Sequence, residues 1–254
     1  MFSYPAQADF RGLPQITVLA ASSLSGPMTK LIRLYSRQYN VTVTASYDAA
    51  SEQANKIHTG ESADVFISSH PQWMSELKQK GVVDVYSIMN LVQNDLVLVT
   101  SVSSYLNHYI LENAPLKDQL MNLMQRSIMV IGDPETPLGM YTRQALEALT
   151  ISEGGSQENL WEMLHNKAIL ASDAKKTLYL IERRNTAGII YASDAYNNEA
   201  IRVIARLPLE LHEPVVYQAA VVAGENMTLA RGFLAFLSGP MAKHVFAEYG
   251  LKVQ

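Results

Sequence analysis

The sequence predicts an α/β protein built from two mostly parallel β-sheets with helices on their faces. Residues 16–80 alternate short apolar runs with helical patterns in the order β-α-β-α-β-α, and a second β/α series lies between residues 128 and 191. Such alternation is typical of parallel sheets covered by helices. Long apolar runs at Asp95–Thr100 and Val215–Val222 flank the second series. We therefore predict two lobes that these two strands join.

The individual elements follow from the spacing of the apolar residues, which form continuous runs in buried strands and recur at three- and four-residue intervals in helices. The helix after the first strand, for example, carries Met28, Leu31, Ile32 and Tyr35 on one face. These criteria predict strands at 16–20, 41–45, 63–68, 95–100, 128–131, 167–170, 187–191 and 215–222. They predict helices at 25–39, 52–58, 71–80, 140–149, 159–164, 175–184, 228–237 and 240–249.

The remaining stretches are a Pro- and Gly-containing N-terminal arm at 1–14, a helical and polar segment at 102–126, and a loop at 151–156. The order of the elements predicts a discontinuous first lobe, residues 1–96 plus 216–254, and a second lobe, residues 97–215. Ligands of open α/β sheets bind outside the carboxyl ends of the strands, so we expect a ligand cleft between the lobes.

The composition excludes several kinds of site. The chain has no cysteine, which rules out thiolate catalysis, disulfides and cysteine metal ligands. Its six histidines are scattered and form no HExxH motif, so we predict neither a metal site nor a cofactor. The net charge of -4 gives no indication of a nucleic-acid partner. If the protein binds an anion, neutral dipoles rather than a basic patch must hold it.

The start of the chain leaves its location open. Ala6-Gln7-Ala8 has the A-x-A form of a signal-peptide cleavage site, but only five residues precede it. The sequence is therefore either the trimmed end of an exported precursor or an ordinary tail with a chance match. No apolar run approaches the ~18 residues that a membrane-spanning helix requires.

Two hydroxyl residues, Ser22 and Ser23, lie where the first strand passes into the first helix. Unpaired backbone N–H groups point out of a helix start, and the helix dipole favours negative charge there. This turn is a candidate anion cradle. The alternative is that one of the serines only caps the helix.

Six segments carry a resemblance that covers about residues 15–252. They read ITVLAASSL, ESADVFISSHPQWMSELKQKG, NDLVLVT, VIGDPETPLGMYTRQALEAL, TLYLIERRNTAGIIYASDA and FLAFLSGPMAKHVFAEYG. Together, and in this order, they resemble the periplasmic molybdate-binding proteins of ABC transporters. The resemblance implies the two-lobed fold of type II periplasmic-binding proteins, closing on a tetrahedral oxyanion such as molybdate or tungstate.

The resemblance also implies partners and ligand contacts. The protein would be a periplasmic or otherwise extracytoplasmic monomer that delivers its oxyanion to the membrane component of an ABC transporter. Ser23 would contribute its hydroxyl and amide, Leu138 and Ala174 their amides, and Tyr191 its phenol. The hydroxyl that this family places before the second helix falls on Ala50, with Ser51 next to it.

The turn at residues 48–51 departs from the family pattern. Asp48 stands where the pattern is small and neutral, and Ala50 where it is serine. We expect Asp48 to weaken anion binding unless it turns outward and caps the second helix through its own oxygens. Without the resemblance, Tyr191 at the end of an apolar strand would be interpreted as a core residue.

Other functions remain as alternatives. The ligand would then be sulfate or another small anion, or the chain would be a cytoplasmic ligand sensor, since it carries no complete signal peptide. An enzyme is disfavoured because the sequence contains no GxSxG elbow and no P-loop. Porphobilinogen deaminase has the same fold but attaches its cofactor to a cysteine, which this chain lacks.

Overall fold

A computed structural model describes residues 12–153 and 156–253. Most of the predicted N-terminal arm, including Ala6-Gln7-Ala8, lies outside these residues. The strands are β1 (Gln15–Ala21), β2 (Thr42–Asp48), β3 (Val65–Ser68), β4 (Met89–Asn94), β5 (Leu96–Ser101), β6 (Val130–Gly132), β7 (Thr150–Glu153), β8 (Ser156–Asn159), β9 (Ile169–Ala171), β10 (Ala187–Tyr191), β11 (Ile201–Arg206) and β12 (Val215–Val221).

The helices follow the predicted positions closely. They are α1 (Ser25–Tyr39), α2 (Ala50–His58), α3 (Pro71–Gln79), α4 (Leu116–Met124), α5 (Pro137–Glu147), α6 (Leu160–Leu164), α7 (Ala174–Arg184), α8 (Ala192–Ala195), α9 (Met227–Leu237) and α10 (Pro240–Glu248). Asn40 and Asn185 end α1 and α7 in the left-handed conformation, with φ of 55° and 51°. Asparagine tolerates this conformation better than most residues, so both helix ends are locally encoded.

Two five-stranded sheets form the frame, with strand orders β2-β1-β3-β12-β4 and β11-β5-β10-β6-β9. In the first sheet β1 is parallel to β2 and β3, whereas β12 is antiparallel to β3 and β4. In the second, β6 is parallel to β9 and β10, whereas β5 is antiparallel to β10 and β11. The α/β class is confirmed, but each sheet is mixed rather than mostly parallel.

The chain crosses between the sheets at two connections that contain no α-helix. Asp95 alone separates β4 in the first sheet from β5 in the second, and residues 207–214 lead back from β11 to β12. A strand that enters a sheet without a helical crossover is free to pair antiparallel. The lobe boundaries at residues 96/97 and 215/216 stay a prediction.

Three sequence expectations need correction. The loop expected at 151–156 belongs to an antiparallel hairpin of β7 and β8. The segment 102–126 is a 3₁₀ turn at 105–109 followed by the short α4, because Pro115 allows the helix to begin only after it. Strands β4 and β11 were not predicted; their sequences, MNLVQN and IRVIAR, mix polar with apolar residues.

The core runs through the centres of both sheets. All residues of β5 and β10 are buried, and three tyrosines, Tyr141, Tyr191 and Tyr217, are among the largest fully buried side chains. The Tyr191 and Tyr217 rings lie 6.1 Å apart, and they link the end of β10 in the second sheet to β12 in the first. Within residues 12–153 and 156–253, no helix has the length and apolarity that a membrane span requires.

Candidate functional site

Four helical starts converge on one small cavity between the two sheets. They are the 3₁₀ turn Ser22–Leu24 after β1, and the first residues of α2, α5 and α7. The cavity volume is about 10 Å³. The walls comprise Ala21, Ser22, Ser23, Asp48, Ala49, Ala50, Ser69, Thr136, Pro137, Leu138, Asp173, Ala174 and Tyr191. Each start brings N–H groups without intrahelical partners and a positive dipole end, so the cavity is suited to negative charge.

The first sheet contributes two helical starts without side-chain caps. Ala21 precedes the 3₁₀ turn and Ala49 precedes α2, and neither offers a side-chain oxygen to the first N–H groups. The N-cap of α1 is Leu24, so neither Ser22 nor Ser23 is a helix cap. The capping alternative for these serines is therefore wrong, and both residues line the cavity.

The second sheet contributes the starts of α5 and α7, whose N-cap side chains leave the earlier helical N–H groups without a partner. Thr136 Oγ1 accepts the N–H of Gly139 at 3.3 Å, and Asp173 Oδ1 accepts that of Lys176 at 3.0 Å. Both caps take the third helical N–H. The N–H groups of Leu138 and Ala174 come earlier in the helix, where no intrahelical carbonyl can reach them. These are the two amides that the sequence resemblance implied.

The position of the Leu138 amide depends on a close backbone approach. A Cβ on Gly139 would lie 1.8 Å from the carbonyl oxygen of Asp133, and one on Gly132 would lie 2.6 Å from the Gly139 nitrogen. Only glycine allows the start of α5 to pack this tightly on the end of β6. The paired glycines thereby hold the helix start, and with it the Leu138 amide, at the cavity.

Tyr191 ends β10 and closes another side of the cavity. Its side chain is 1% exposed, and among the described residues its Oη makes no hydrogen bond of regular geometry, although the nearby Ser69 side chain acts to lower its pKa. Burial, together with the neighbouring Tyr217 and Tyr141, raises the pKa of Tyr191 well above its ordinary value. The phenol is therefore protonated at neutral pH. A buried hydroxyl without a hydrogen-bond partner costs free energy, so the Tyr191 phenol is available to donate to a ligand oxygen.

Ser23 has a partner on β12. Its Oγ lies 2.8 Å from Tyr217 Oη, and Tyr217 Oη also receives a hydrogen bond of 3.3 Å from Asn94 Nδ2. Ser23 is 5% exposed. The serine is thus fixed by Tyr217, 194 positions away in the chain, and Asn94 contacts Tyr217 rather than Ser23.

The turn at residues 48–51, which differs from the family pattern, lies only partly at the cavity. Asp48, Ala49 and Ala50 line the cavity, but Ser51 lines a different cavity, between α2 and α3, with Trp73. A helix turns by about 100° per residue, so the side chain after Ala50 points elsewhere. The structure therefore does not bring Ser51 to the other predicted ligand contacts.

Asp48 does not present a free charge to the cavity. Its Oδ1 accepts the Ala49 N–H at 2.9 Å, and its Oδ2 lies 3.3 Å from Lys56 Nζ. The expectation that Asp48 caps the second helix is wrong, because its oxygen bonds the N–H of Ala49, which precedes α2, and α2 has no side-chain cap. The ion pair with Lys56 then reduces the repulsion that Asp48 would exert on an anion.

The two lysines at the start of α7 are also engaged. Lys175 Nζ lies 2.7 Å from Oδ1 of the buried Asp194, and Lys176 Nζ lies 5.0 Å from the centre of the Tyr179 ring. Burial raises the pKa of Asp194, and Lys175 acts against that rise. Both lysines border an open cavity of about 430 Å³ beside the site, not the site itself. The described walls therefore hold charge with dipoles and hydroxyls.

Sequence reasoning identified Ser22 together with Ser23 but missed other wall residues. Ser69, Thr136 and Asp173 all follow a strand and precede a helix, as Ser23 does. The same strand-to-helix pattern could have identified Ser69, which follows β3 directly. In the part of the chain that the structure describes, no three His, Asp or Glu residues come together as a metal site.

The profile of the bacterial extracellular solute-binding proteins matches residues 16–252. The chain belongs to this family. The molybdate-binding protein ModA of Escherichia coli K12 is 31% identical over 242 residues, covering 94% of this chain and 90% of that protein. The ModA of Haemophilus influenzae is 30% identical over 256 residues, covering all of this chain and 93% of that protein.

A solved structure gives the fold. The periplasmic molybdate-binding protein of Azotobacter vinelandii superposes with a TM-score of 0.76 at 16% identity, covering 94% of this chain and 99% of that one. The two-lobed α/β fold predicted from the sequence is confirmed by this likeness and by the family match.

Proposed function

We propose that this protein is a solute-binding receptor that captures a tetrahedral oxyanion, molybdate or tungstate, and delivers it to an ABC transporter. The observation that carries the proposal is the convergence of four helical starts and one unpaired phenol on a cavity with no cation in its wall. Such a site offers many hydrogen-bond donors, and a fully deprotonated oxyanion offers only acceptors. The molybdate-binding relatives support this choice of ligand.

The donors are proposed to be Ser23, Leu138, Ala174 and Tyr191, together with the start of α2 at Ala50. Hydrogen bonds to a charged partner contribute about 1.5–3 kcal/mol each, roughly twice a neutral bond. Several such bonds are enough for tight binding without a basic residue. Ser51 is left out of the proposed contacts because it lines another cavity.

Ligand entry requires the lobes to separate. We propose lobes of residues 1–96 plus 216–254 and of residues 97–215, with the hinge at Asp95 and residues 207–214. The first lobe then supplies Ser23 and the start of α2, and the second supplies the starts of α5 and α7 and Tyr191. A cavity of about 10 Å³ holds a single water-sized molecule, so the walls must stand further apart than in this structure both while a four-oxygen anion enters and while it is bound. The bound anion then favours closure because both lobes contact it.

Contacts across the proposed hinge fit this movement. Asp95 pairs with Arg206 of the second sheet at 3.2 Å and with Lys252 near the chain end at 2.7 Å. Tyr141 Oη, on α5, donates to the Ser69 carbonyl after β3 at 3.3 Å. These partly buried contacts would stabilise the closed arrangement and could be exchanged for water on opening.

The proposal places the protein outside the cytoplasmic membrane, as a monomer with a membrane transporter as its partner and without catalytic activity. The family to which it belongs is one of extracellular solute-binding proteins, which supports this location. Expression with its natural upstream region and fractionation of the cells would test it. Recovery of the protein in the cytoplasm alone would favour the ligand-sensor alternative.

Calorimetry would test the ligand. The protein is unfolded and refolded to remove bound anions, then titrated with molybdate, tungstate, sulfate and phosphate. We expect one site that binds molybdate and tungstate, with thermal stabilisation by the same anions. Binding of sulfate alone would change the ligand to the alternative anion. No heat and no stabilisation with any of the four would contradict an oxyanion receptor.

A further inference from the structure

We propose that Tyr217 and Asn94 are positioning residues that turn the Ser23 hydroxyl proton toward the bound oxyanion. Neither residue lines the cavity. The inference rests on the oxyanion site proposed above and concerns how one of its donors is oriented. It follows from a chain of buried hydrogen bonds in which the direction of each bond can be assigned.

The orientation of the Asn94 amide is fixed by two backbone donors. Its Oδ1 accepts the N–H of Asp95 at 3.0 Å and the N–H of Ser193 at 3.2 Å. Only the carbonyl oxygen of the amide can accept two N–H groups, so the other atom is the NH₂ group. Asn94 Nδ2 therefore donates, to Ser193 Oγ at 2.8 Å and to Tyr217 Oη at 3.3 Å.

This donor sets the direction of the next bond. Tyr217 is fully buried, and burial raises its pKa above the ordinary value, so its single proton is present at neutral pH. Its oxygen accepts from Asn94, and its other described partner is Ser23 Oγ at 2.8 Å. If Tyr217 donates to Ser23, the one proton left without a described acceptor is that of Ser23, which lines the cavity where a ligand oxygen would accept it. The reverse direction would leave the proton of Tyr217 unpaired, and Tyr217 does not line the cavity.

Ser23 then has its own proton free while one lone pair is occupied from the side of β12. The serine lies on the cavity wall, and the free proton is available to an oxygen of the ligand. Without Tyr217 the hydroxyl could rotate and present a lone pair, which repels an anion. The hydrogen bonds from Asn94 to Tyr217 and from Tyr217 to Ser23, which we call the relay, thus orient the Ser23 hydroxyl so that it donates to the ligand.

The relay also depends on both sheets. Asn94 is the last residue of β4 in the first sheet, whereas Ser193 belongs to α8, which follows β10 of the second. The orientation of the Asn94 amide is therefore fixed by groups from both sides of Asp95.

A double-mutant cycle tests the coupling. We expect Ser23→Ala to weaken molybdate binding by about 10- to 150-fold and Tyr217→Phe by about 3- to 10-fold, because the second change loosens the donor without removing it. In the Ser23→Ala background, Tyr217→Phe should change the dissociation constant by less than about 2-fold, since no hydroxyl remains to be oriented. Effects that multiply would overturn the relay and assign Tyr217 a structural role.

Asn94→Asp provides a second, nearly isosteric test that does not remove buried volume. The carboxylate accepts only, so Tyr217 must donate toward position 94 and accept from Ser23, which turns the serine proton away from the ligand. The added charge also weakens binding, and its effect is measured alone in the Tyr217→Phe background. We expect Asn94→Asp to cost at least about 3-fold more in the parent than in that background. Equal costs would contradict the assigned direction.

The control is Tyr35→Phe, which removes the phenolic oxygen of another buried tyrosine, on α1, where the ring packs against Phe233. It should leave the dissociation constant unchanged, and thermal unfolding of the ligand-free variants shows whether each one folds. If the parent protein binds no oxyanion, the proposed function fails. If the parent binds and the two changes multiply, only the relay fails.

Discussion

Tyr191→Phe should weaken ligand binding without lowering the stability of the ligand-free protein. Most tyrosine hydroxyls in a protein core have hydrogen-bond partners, so removing one usually lowers the stability of the fold as well. The Tyr191 Oη has no partner among the described residues, although its side chain is 1% exposed. Removing it therefore deletes no internal hydrogen bond that the structure describes, while it deletes a proposed donor to the ligand.

The magnitudes follow from these contacts. A buried polar group without a partner costs about 1–3 kcal/mol, so the ligand-free variant should be as stable as the parent or more stable. For a chain of this size, 1 kcal/mol corresponds to about 2–4 °C in Tm. The lost hydrogen bond to an anion should cost about 1.5–3 kcal/mol, or about 10- to 150-fold in affinity.

Calorimetry with molybdate and thermal unfolding without ligand measure the two quantities. The matched control is Tyr217→Phe, whose hydroxyl bonds Ser23 and Asn94 and whose loss should lower the Tm of the ligand-free protein. Unchanged affinity in Tyr191→Phe would remove this residue from the site. A fall in Tm of several degrees without ligand would show that its hydroxyl has an internal partner.

Two further changes probe the turn before α2 and the start of α3. Ala50→Ser, on the cavity wall, should strengthen oxyanion binding by up to ~1.5–3 kcal/mol in calorimetry, and an unchanged affinity would place this turn outside the ligand shell. His70 lies 4.7 Å from the Tyr141 ring, and burial lowers its pKa below 6.5, partly offset by Glu213. Its stabilising effect is therefore complete above about pH 6.5 and is lost as the pH falls toward the lowered pKa, because the unfolded chain takes up the proton first. His70→Asn, which keeps a side-chain oxygen to replace the 3.1 Å cap on Gln72, should show a smaller fall in Tm between pH 7.5 and 5.5 than the parent. Parallel pH profiles for the two proteins would contradict this.

The local elements could be predicted because their signals are local. Helix α1 spans Ser25–Tyr39 as predicted, since its apolar residues recur on one face and an asparagine that tolerates the left-handed conformation follows it. Strand β10 was predicted with its observed bounds from an uninterrupted apolar run. Strand β4 was missed because its residues serve a sheet pairing with β12, over 120 positions later, that no local pattern encodes.

The features of the site likewise divide into those that could be predicted from the sequence and those that could not. Leu138 and Ala174 were predicted only from the resemblance, and the structure brings both to one cavity with Ser23, Ala50 and Tyr191. The partner of Ser23 is 194 residues away, so the Ser23–Tyr217 bond could not be inferred from sequence.

Ser51 shows that a ligand contact expected from a family pattern cannot simply be assigned to the next residue in the chain. A shift of one position along a helix rotates a side chain by about 100°, and here it moves the serine into a different cavity. A pattern that places a hydroxyl at the neighbouring position therefore gives no assurance that this one reaches the ligand.

An oxyanion is proposed to bind between the two lobes at the converging helix starts. Crystals grown with molybdate and measured on both sides of the molybdenum absorption edge would locate it. We expect one strong anomalous peak within hydrogen-bonding distance of Ser23, the Leu138 and Ala174 amides, and Tyr191 Oη. A peak elsewhere in the molecule, or no peak in crystals of protein shown by calorimetry to bind molybdate, would contradict it.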